Sequence, residues 1–223
     1  RCILCGACAQ ACPSGALELV GREMTVSEVV EEVIRDEIFY DHSGGGVTFS
    51  GGEPLLQGDF LLKCLKACGS LGLHRAVDTS GYADKALVEK VAGETDLFLL
   101  DIKHMDPEIH TRLTGVSNVP IFENLRLILD MGVTVQVRIP VIPGYNNNEE
   151  NMDRAGAFLA VLPGIESVRL LPYHGAAGCK YSRMGSVYPL SHLRPPSEQN
   201  LAECARRLER YNLGVVCGGI QNE

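Results

Sequence analysis

Four cysteines open the chain as Cys2-x2-Cys5-x2-Cys8-x3-Cys12-Pro13, a spacing that wraps a short stretch of backbone around one [4Fe–4S] cluster. Thiolate sulfur suits the soft iron of such clusters, and a zinc knuckle is the competing use of the same ligands. In two-cluster ferredoxins the fourth Cys of this run ligates the other cluster, so two assignments are open for Cys12. Further along, Thr48-Phe49-Ser50-Gly51-Gly52-Glu53-Pro54 ends a β-rich run in two glycines and a carboxylate. The glycines let a ligand approach the backbone closely, and Glu53 can hold an ammonium group by a charge-assisted hydrogen bond. The segment has neither the Gly-Lys-Ser/Thr ending of a phosphate loop nor a G-x-G-x-x-G fingerprint, which argues against a nucleotide phosphate.

Comparable polar tips follow other apolar runs: Asp78-Thr79-Ser80-Gly81, Asp101-Ile102-Lys103-His104, Arg138-Ile139-Pro140-Val141-Ile142-Pro143-Gly144 and Pro172-Tyr173-His174-Gly175. Lys103 and Arg138 are suited to clamp a carboxylate, and Asp78 and Asp101 to accept donors or hold a cation. One charged residue at a strand end is usually a solvated cap, and one histidine such as His174 is usually structural. Five such tips in series point instead to a shared ligand.

The elements that must carry these tips alternate in type. Strand patterns lie at Gly46–Ser50, Arg75–Thr79, Leu97–Ile102, Val133–Ile139, Ser167–Tyr173 and Gly214–Cys217. Helical patterns lie near Leu55–Leu71, Asp84–Ala92, Phe122–Met131, Glu149–Leu162 and Ser197–Tyr211. Before them, Val26, Val29, Val30, Val33 and Ile34 repeat at helical spacing, with Thr25 or Ser27 as candidate caps. Strands alternating with helices predict an α/β fold with a parallel sheet, and the spacing of roughly 30 residues per unit favours a (β/α) barrel over a doubly wound sheet. In either fold the C-terminal strand ends gather at one mouth. The Cys-rich residues 1–20 differ in composition and are predicted to form a separate segment from 21–223.

Composition narrows the function further. Of 223 residues 45% are hydrophobic, enough for a sizeable core. Lys+Arg 20 against Asp+Glu 28 gives a net charge of −8 with no basic block, which disfavours nucleic acid and anionic lipid as partners. No apolar run is long enough to span a bilayer. Nine cysteines, four of them within the first twelve residues, suit metal ligation in a reducing compartment better than a disulfide framework.

Taken in order, the Cys run and the GGEP, DTSG, DIKH, RIPVIPG and PYH segments resemble the activating enzymes of glycyl radical enzymes. These belong to the radical S-adenosylmethionine (SAM) superfamily, and the likeness is to the subclass with a ferredoxin-like insert. The resemblance implies a radical SAM type of partial (β/α) barrel, preceded by a ferredoxin-like Fe–S segment ligated by Cys2, Cys5, Cys8 and Cys12. It implies that Gly51, Gly52 and Glu53 bind the SAM amino group. Asp101, Lys103 and Arg138 then lie around its carboxylate, with Ile102 counted among the cofactor-binding residues, Asp78, Thr79 and Asp101 border a monovalent cation, and His174 contacts the nucleoside. The implied oxidoreductase cleaves SAM reductively to a 5′-deoxyadenosyl radical that abstracts hydrogen from a glycine of a partner enzyme. Flavodoxin or ferredoxin would supply electrons in an anaerobic cytoplasm.

One departure stands out. The superfamily's SAM cluster uses Cys-x3-Cys-x2-Cys, and the 223 residues hold no such run: Cys64-x3-Cys68 is followed by Leu71, and Cys8-x3-Cys12 by Gly15. The chain begins at Arg1, so the resemblance implies that the run and the first barrel strand lie in a missing preceding segment, and that the chain alone is inactive. A smaller departure is Asn146-Asn147, where the family commonly shows Asn-Asp. Two other readings compete: a radical SAM enzyme acting on a small molecule, and a ferredoxin-type electron carrier joined to a non-catalytic barrel.

Overall fold

The computed structural model describes residue 3, residues 5–19 and residues 21–218. Cys2, named above as a ligand, lies outside these described residues. The first element is a single helical turn, α1 (Ala7–Gln10), within an exposed Cys segment. Helix α2 (Val26–Ile34) follows. Its start is fixed by a capping box in which Thr25 Oγ1 accepts from Glu28 N and Glu28 accepts from Thr25 N, so Thr25 and not Ser27 is the cap. Helix α3 (Glu37–Ser43) leads into β1 (Gly46–Phe49).

From β1 the chain alternates as expected. A 3-10 turn (Pro54–Gln57) and α4 (Gly58–Ser70) precede β2 (His74–Thr79), and α5 (Lys85–Ala92) precedes β3 (Leu97–Asp101). Helices α6 (Pro107–Thr114) and α7 (Val119–Asp130) lead to β4 (Thr134–Val141), and α8 (Glu149–Leu159) to β5 (Ser167–Pro172). Helices α9 (Ala177–Arg183) and α10 (Glu198–Glu209) precede β6 (Gly214–Cys217). The pattern expected to be one helix from Leu55 to Leu71 is split, because Pro54 opens a tight turn before α4 begins. Helix α7 starts earlier than its apolar stripe, at Val119 with Pro120 in the first turn, where a missing N–H costs nothing.

All six strands are parallel, in the order β1-β2-β3-β4-β5-β6. Neighbours in sequence are neighbours in space, with no reversal of order, so the sheet is an arc of a barrel and not a doubly wound sheet. Among the described residues the outer edges of β1 and β6 carry no further strand. Strand alternation sorts the side chains. Phe98, Leu100, Val137, Ile139, Val141, Val168 and Leu170 are buried on one face, against Leu65, Val88, Leu125, Met152 and Leu208 of the helices. The opposite, concave face carries Asp78, Leu99, Asp101, Arg138, Pro140, Arg169 and Leu171, all half-buried.

Pro140 sits inside a central strand, a position where a missing N–H normally breaks the ladder. Here the backbone of Arg138, two residues earlier, faces β3 and its carbonyl accepts from Ile102 N at 2.9 Å. Pro140 therefore faces the space beyond the end of β3, where no ladder partner is lost. Its carbonyl accepts instead from Asn146 Nδ2 at 2.6 Å. Cys64 and Cys68 of α4 are 1% and 0% exposed, and burial pushes both thiols up in pKa, as suits core-filling side chains.

Candidate active site at the strand tips

The Gly51–Pro54 turn at the end of β1 is tied to the end of β2 by one side chain. Glu53 Oε1 accepts from Thr79 Oγ1 at 2.6 Å and from Leu55 N at 3.2 Å. Its Oε2 accepts from Ser80 N at 2.9 Å and Ser80 Oγ at 2.6 Å. A carboxylate has about four acceptor positions, and all are engaged. Through these four bonds Glu53, the expected partner of an ammonium group, also holds the turn in place. Gly51 has φ of 129°, a conformation L side chains avoid, and a Cβ at Gly51 or Gly52 would meet nothing within 4 Å. Bare backbone with open space above it is what a closely approaching ligand needs.

A second network joins β1 through β4. The Arg138 guanidinium lies between two carboxylates: Nε donates to Asp101 Oδ1 at 2.8 Å, and the two terminal nitrogens donate to Asp78. Ser50 Oγ also donates to Asp78, at 3.2 Å. Burial works against the Arg138 charge, but the two carboxylates outweigh it and raise its pKa. Burial also pushes the Asp101 carboxyl up, against the pull of Arg138 and Lys103. Arg138 therefore does not stand free as a carboxylate clamp, and the pair of aspartates expected to border a monovalent cation is bridged by its guanidinium.

Lys103 is one unspent cation of the mouth; Arg169, in register with Arg138, also has a buried Nε without a partner among the described residues. The Lys103 side chain makes no hydrogen bond or ion pair among the described residues, while its carbonyl accepts from Asn146 Nδ2 at 2.9 Å. It lines a cavity of about 350 Å³ with Pro140, Ile142, Tyr145, Tyr181 and Tyr188. The Tyr181 and Tyr188 rings lie 5.0 Å apart and form one wall. Tyr173, whose hydroxyl donates to Leu190 O at 2.8 Å, together with burial pushes Tyr188 up to about 12.

Two expected residues stand apart. Ile102 is 3% exposed and belongs to the core, because it follows the inward-facing Asp101 and alternation turns it toward the helices; its side chain does not line the mouth. His174 is exposed beyond β5 and makes no side-chain hydrogen bond among the described residues. Ser50, Ser80 and Asn146 organise the mouth without having been singled out for it. The signal for the serines was their place in the quoted strand tips. Asn147, flagged as a departure, accepts from Gly144 N through Oδ1 at 2.8 Å, a bond that an Asp would accept equally.

In the N-terminal segment Cys5 and Cys8 are exposed and Cys12 half-exposed, and among the described residues no three His, Cys, Asp or Glu side chains are gathered as a metal site. Thiols of such a segment are drawn together by the metal they bind. The Ser14 hydroxyl and the Leu17 backbone lower Cys12 to about 7, which favours the ligating thiolate. The segment touches the mouth region through an ion pair of Glu18 with Arg183, at the end of α9, at 2.6 Å. Donor chemistry thus fits an iron–sulfur cluster, and the open glycines and free Lys103 fit a zwitterionic ligand such as SAM.

A concave parallel sheet with a glycine-lined turn, an aspartate–arginine network and a Cys run defines a class, and the family comparison agrees. Residues 1–155 match the Radical SAM superfamily, and the chain belongs to that superfamily. Within it, the chain is 41% identical over 209 residues to the trans-4-hydroxy-L-proline dehydratase activating enzyme of Clostridioides difficile, covering 92% of this chain and 69% of the relative. It is 35% identical over 198 residues to the pyruvate formate-lyase 1-activating enzyme of Escherichia coli K12, covering 88% and 80%. A crystal structure of a domain of pyruvate-formate lyase-activating enzyme from Bacteroides vulgatus superposes with a TM-score of 0.66 at 39% identity, covering 78% of this chain and 99% of that one. The relatives are activating enzymes of glycyl radical enzymes. Among the described residues no helix is long and apolar enough to cross a membrane.

Proposed function

We propose that the protein is a glycyl radical enzyme activase, in which residues 21–223 form the SAM-binding barrel and residues 1–20 the ferredoxin-like [4Fe–4S] segment. The observation that carries this reading is the set of strand tips: bare glycine backbone at Gly51 and Gly52 faces open space after β1, and among the described residues the Lys103 side chain is unpaired after β3. Together with an iron–sulfur cluster, SAM supplies the chemistry, a one-electron cleavage whose radical product takes hydrogen from a glycine of the partner enzyme. Everything else falls to side chains of this chain. Gly51 and Gly52 receive the amino end of SAM, with Glu53 holding their turn rigid through Thr79 and Ser80. Lys103 is the counter-charge for the carboxylate, and His174 closes on the nucleoside. Asp78, Asp101 and Arg138 sum to one net negative charge, which one monovalent cation can balance.

Cys5, Cys8 and Cys12, with Cys2, hold the cluster of the N-terminal segment, and the Glu18–Arg183 pair keeps that segment against α9. Flavodoxin or ferredoxin delivers the electron. The 223 residues hold no Cys-x3-Cys-x2-Cys run, so by themselves they bind SAM without cleaving it. The test is electron paramagnetic resonance of a glycyl radical enzyme incubated anaerobically with SAM, reductant and a form of the protein that carries such a run. A glycyl doublet that disappears with Lys103→Met supports the proposal; the same doublet at undiminished yield with Lys103→Met refutes the assignment of this mouth.

A further inference from the structure

The concave face of the sheet divides into two halves. Over β1 to β3 its polar side chains are engaged with one another: Asp78 and Asp101 both accept from Arg138, which reaches across from β4, and Ser50 donates to Asp78. Over β4 to β6 the same face is mostly apolar, with Pro140, Leu171 and Val216. One cation rises in this second half. Arg169 of β5 is in register with Arg138 on one side and Val216 on the other, so its side chain stands on the concave face with theirs. It lies roughly 10 Å deeper in the sheet than Pro172, where β5 ends, and so below the strand tips.

Arg169 is half-buried and makes no side-chain hydrogen bond or ion pair among the described residues. Its Nε is sealed and without a partner, while the two terminal nitrogens remain accessible. Sheet geometry gives the reason. The positions that adjoin it on the concave face are Arg138, Val216, Ser167, Leu171, Gln136 and Pro140, and none is a carboxylate. Asp101 lies in the same row but two strands away, with Arg138 between them and bonded to it. A guanidinium has five N–H donors and accepts nothing, so what completes Arg169 is an acceptor. Half-buried donors left unpaired are costly, and a bound acceptor relieves that cost.

We propose that Arg169 holds the glycine-bearing segment of the partner enzyme, its terminal nitrogens donating to main-chain carbonyl oxygens. The inference rests on the activase reading, which requires a glycine of the partner to be brought out of water against this face. A polypeptide segment carries a carbonyl at every residue whatever its side chains, and each carbonyl removed from water needs a donor. Pro140, Leu171 and Val216 supply apolar contact but no side-chain donor. Arg138 is engaged by two carboxylates, which leaves Arg169 as the free guanidinium of the face.

The test takes the form of the protein that activates a glycyl radical enzyme, and a fluorescein-labelled peptide copied from around that enzyme's target glycine. Fluorescence anisotropy reads peptide binding with SAM present and reductant absent, equilibrium dialysis reads SAM, and the glycyl doublet reads activation. Arg169→Leu is expected to weaken peptide binding at least about tenfold, the loss of one charge-assisted contact, with SAM affinity within about twofold of wild type. Arg169→Gln, which keeps a neutral amide donor, recovers part of the loss, a gain that a general folding defect does not produce. Equal peptide binding by wild type and both variants, or no peptide binding by wild type, overturns the inference, and a wild-type doublet then leaves the activase reading standing. A fall in SAM affinity in Arg169→Leu as large as the fall in peptide affinity assigns Arg169 to SAM and also overturns it. Absence of the doublet with wild type marks failure of the activase reading itself, and takes the inference with it.

Discussion

Glu53 separates two roles that a motif cannot distinguish, holding a ligand and holding the turn that meets it. Replacing it with Ala removes the acceptor of four donors, of which the Thr79 and Ser80 hydroxyls can re-orient while Ser80 N and Leu55 N cannot. Hydrogen bonds to a charged acceptor are each worth roughly 1.5–3 kcal/mol. The site is half-buried and water can re-enter, so two fixed amides at the lower figure give a loss of about 3 kcal/mol. For a chain of this length that lowers the melting midpoint by roughly 6–12 °C. Glu53→Gln keeps one acceptor oxygen and should lose about half as much. The assay is urea unfolding of wild type and both variants, paired with SAM binding by equilibrium dialysis. Stability and affinity are expected to fall together, in the order wild type, Gln, Ala. An Ala variant with an unchanged unfolding midpoint and abolished SAM binding would refute the positioning role and make Glu53 a ligand alone.

Three further outcomes follow from the same geometry. Asn146, 1% exposed, bonds Lys103 O, Pro140 O and Ile142 N, so Asn146→Ala should cost about 3 kcal/mol in urea unfolding, near 1 kcal/mol per bond, and weaken SAM binding by freeing Lys103. The Arg75 guanidinium, bonded to Asp96 at 2.9 and 3.0 Å, holds that carboxyl below its usual pKa. A depressed folded pKa adds stability above the unfolded value near 4 and loses it on acidification. Asp96→Asn should therefore be less stable than wild type at pH 6 by about 1 kcal/mol for this partly exposed pair, with the gap closing toward pH 3. At Gly156 on α8 a Cβ would collide with the Tyr211 ring, so Gly156→Ala should lower the melting midpoint despite the better helix propensity, overpacking costing about 1–3 kcal/mol against roughly 1 gained.

Much of the sheet was legible because each strand alternates a helix-facing apolar set with a concave-facing set, and all six strand patterns fall within two residues of the observed limits. Helices α1, α3, α6 and α9 were not anticipated. The segment Pro107–Thr114 reads PEIHTRLT with a single fully buried side chain, His110, and Ala177–Arg183 buries none, so neither offers an apolar stripe. The site residues were legible as strand tips, since parallel βα topology delivers those tips to one mouth. Their partners were not. That Arg138 reaches back to Asp78, two strands away, depends on the stagger between β2, β3 and β4, and that Glu53 is saturated by Thr79 and Ser80 depends on how the Gly51–Pro54 turn folds over β2. Ile102 was drawn into the site by its neighbours in sequence, while alternation sends it to the core.

Anaerobic equilibrium dialysis of SAM against the protein reconstituted with iron and sulfide tests the central claim most directly. The account predicts saturable binding at one SAM per mouth, weakened at least about tenfold in Lys103→Met, the loss of one charge-assisted contact. No saturable binding, or equal affinity in wild type and Lys103→Met, would contradict it.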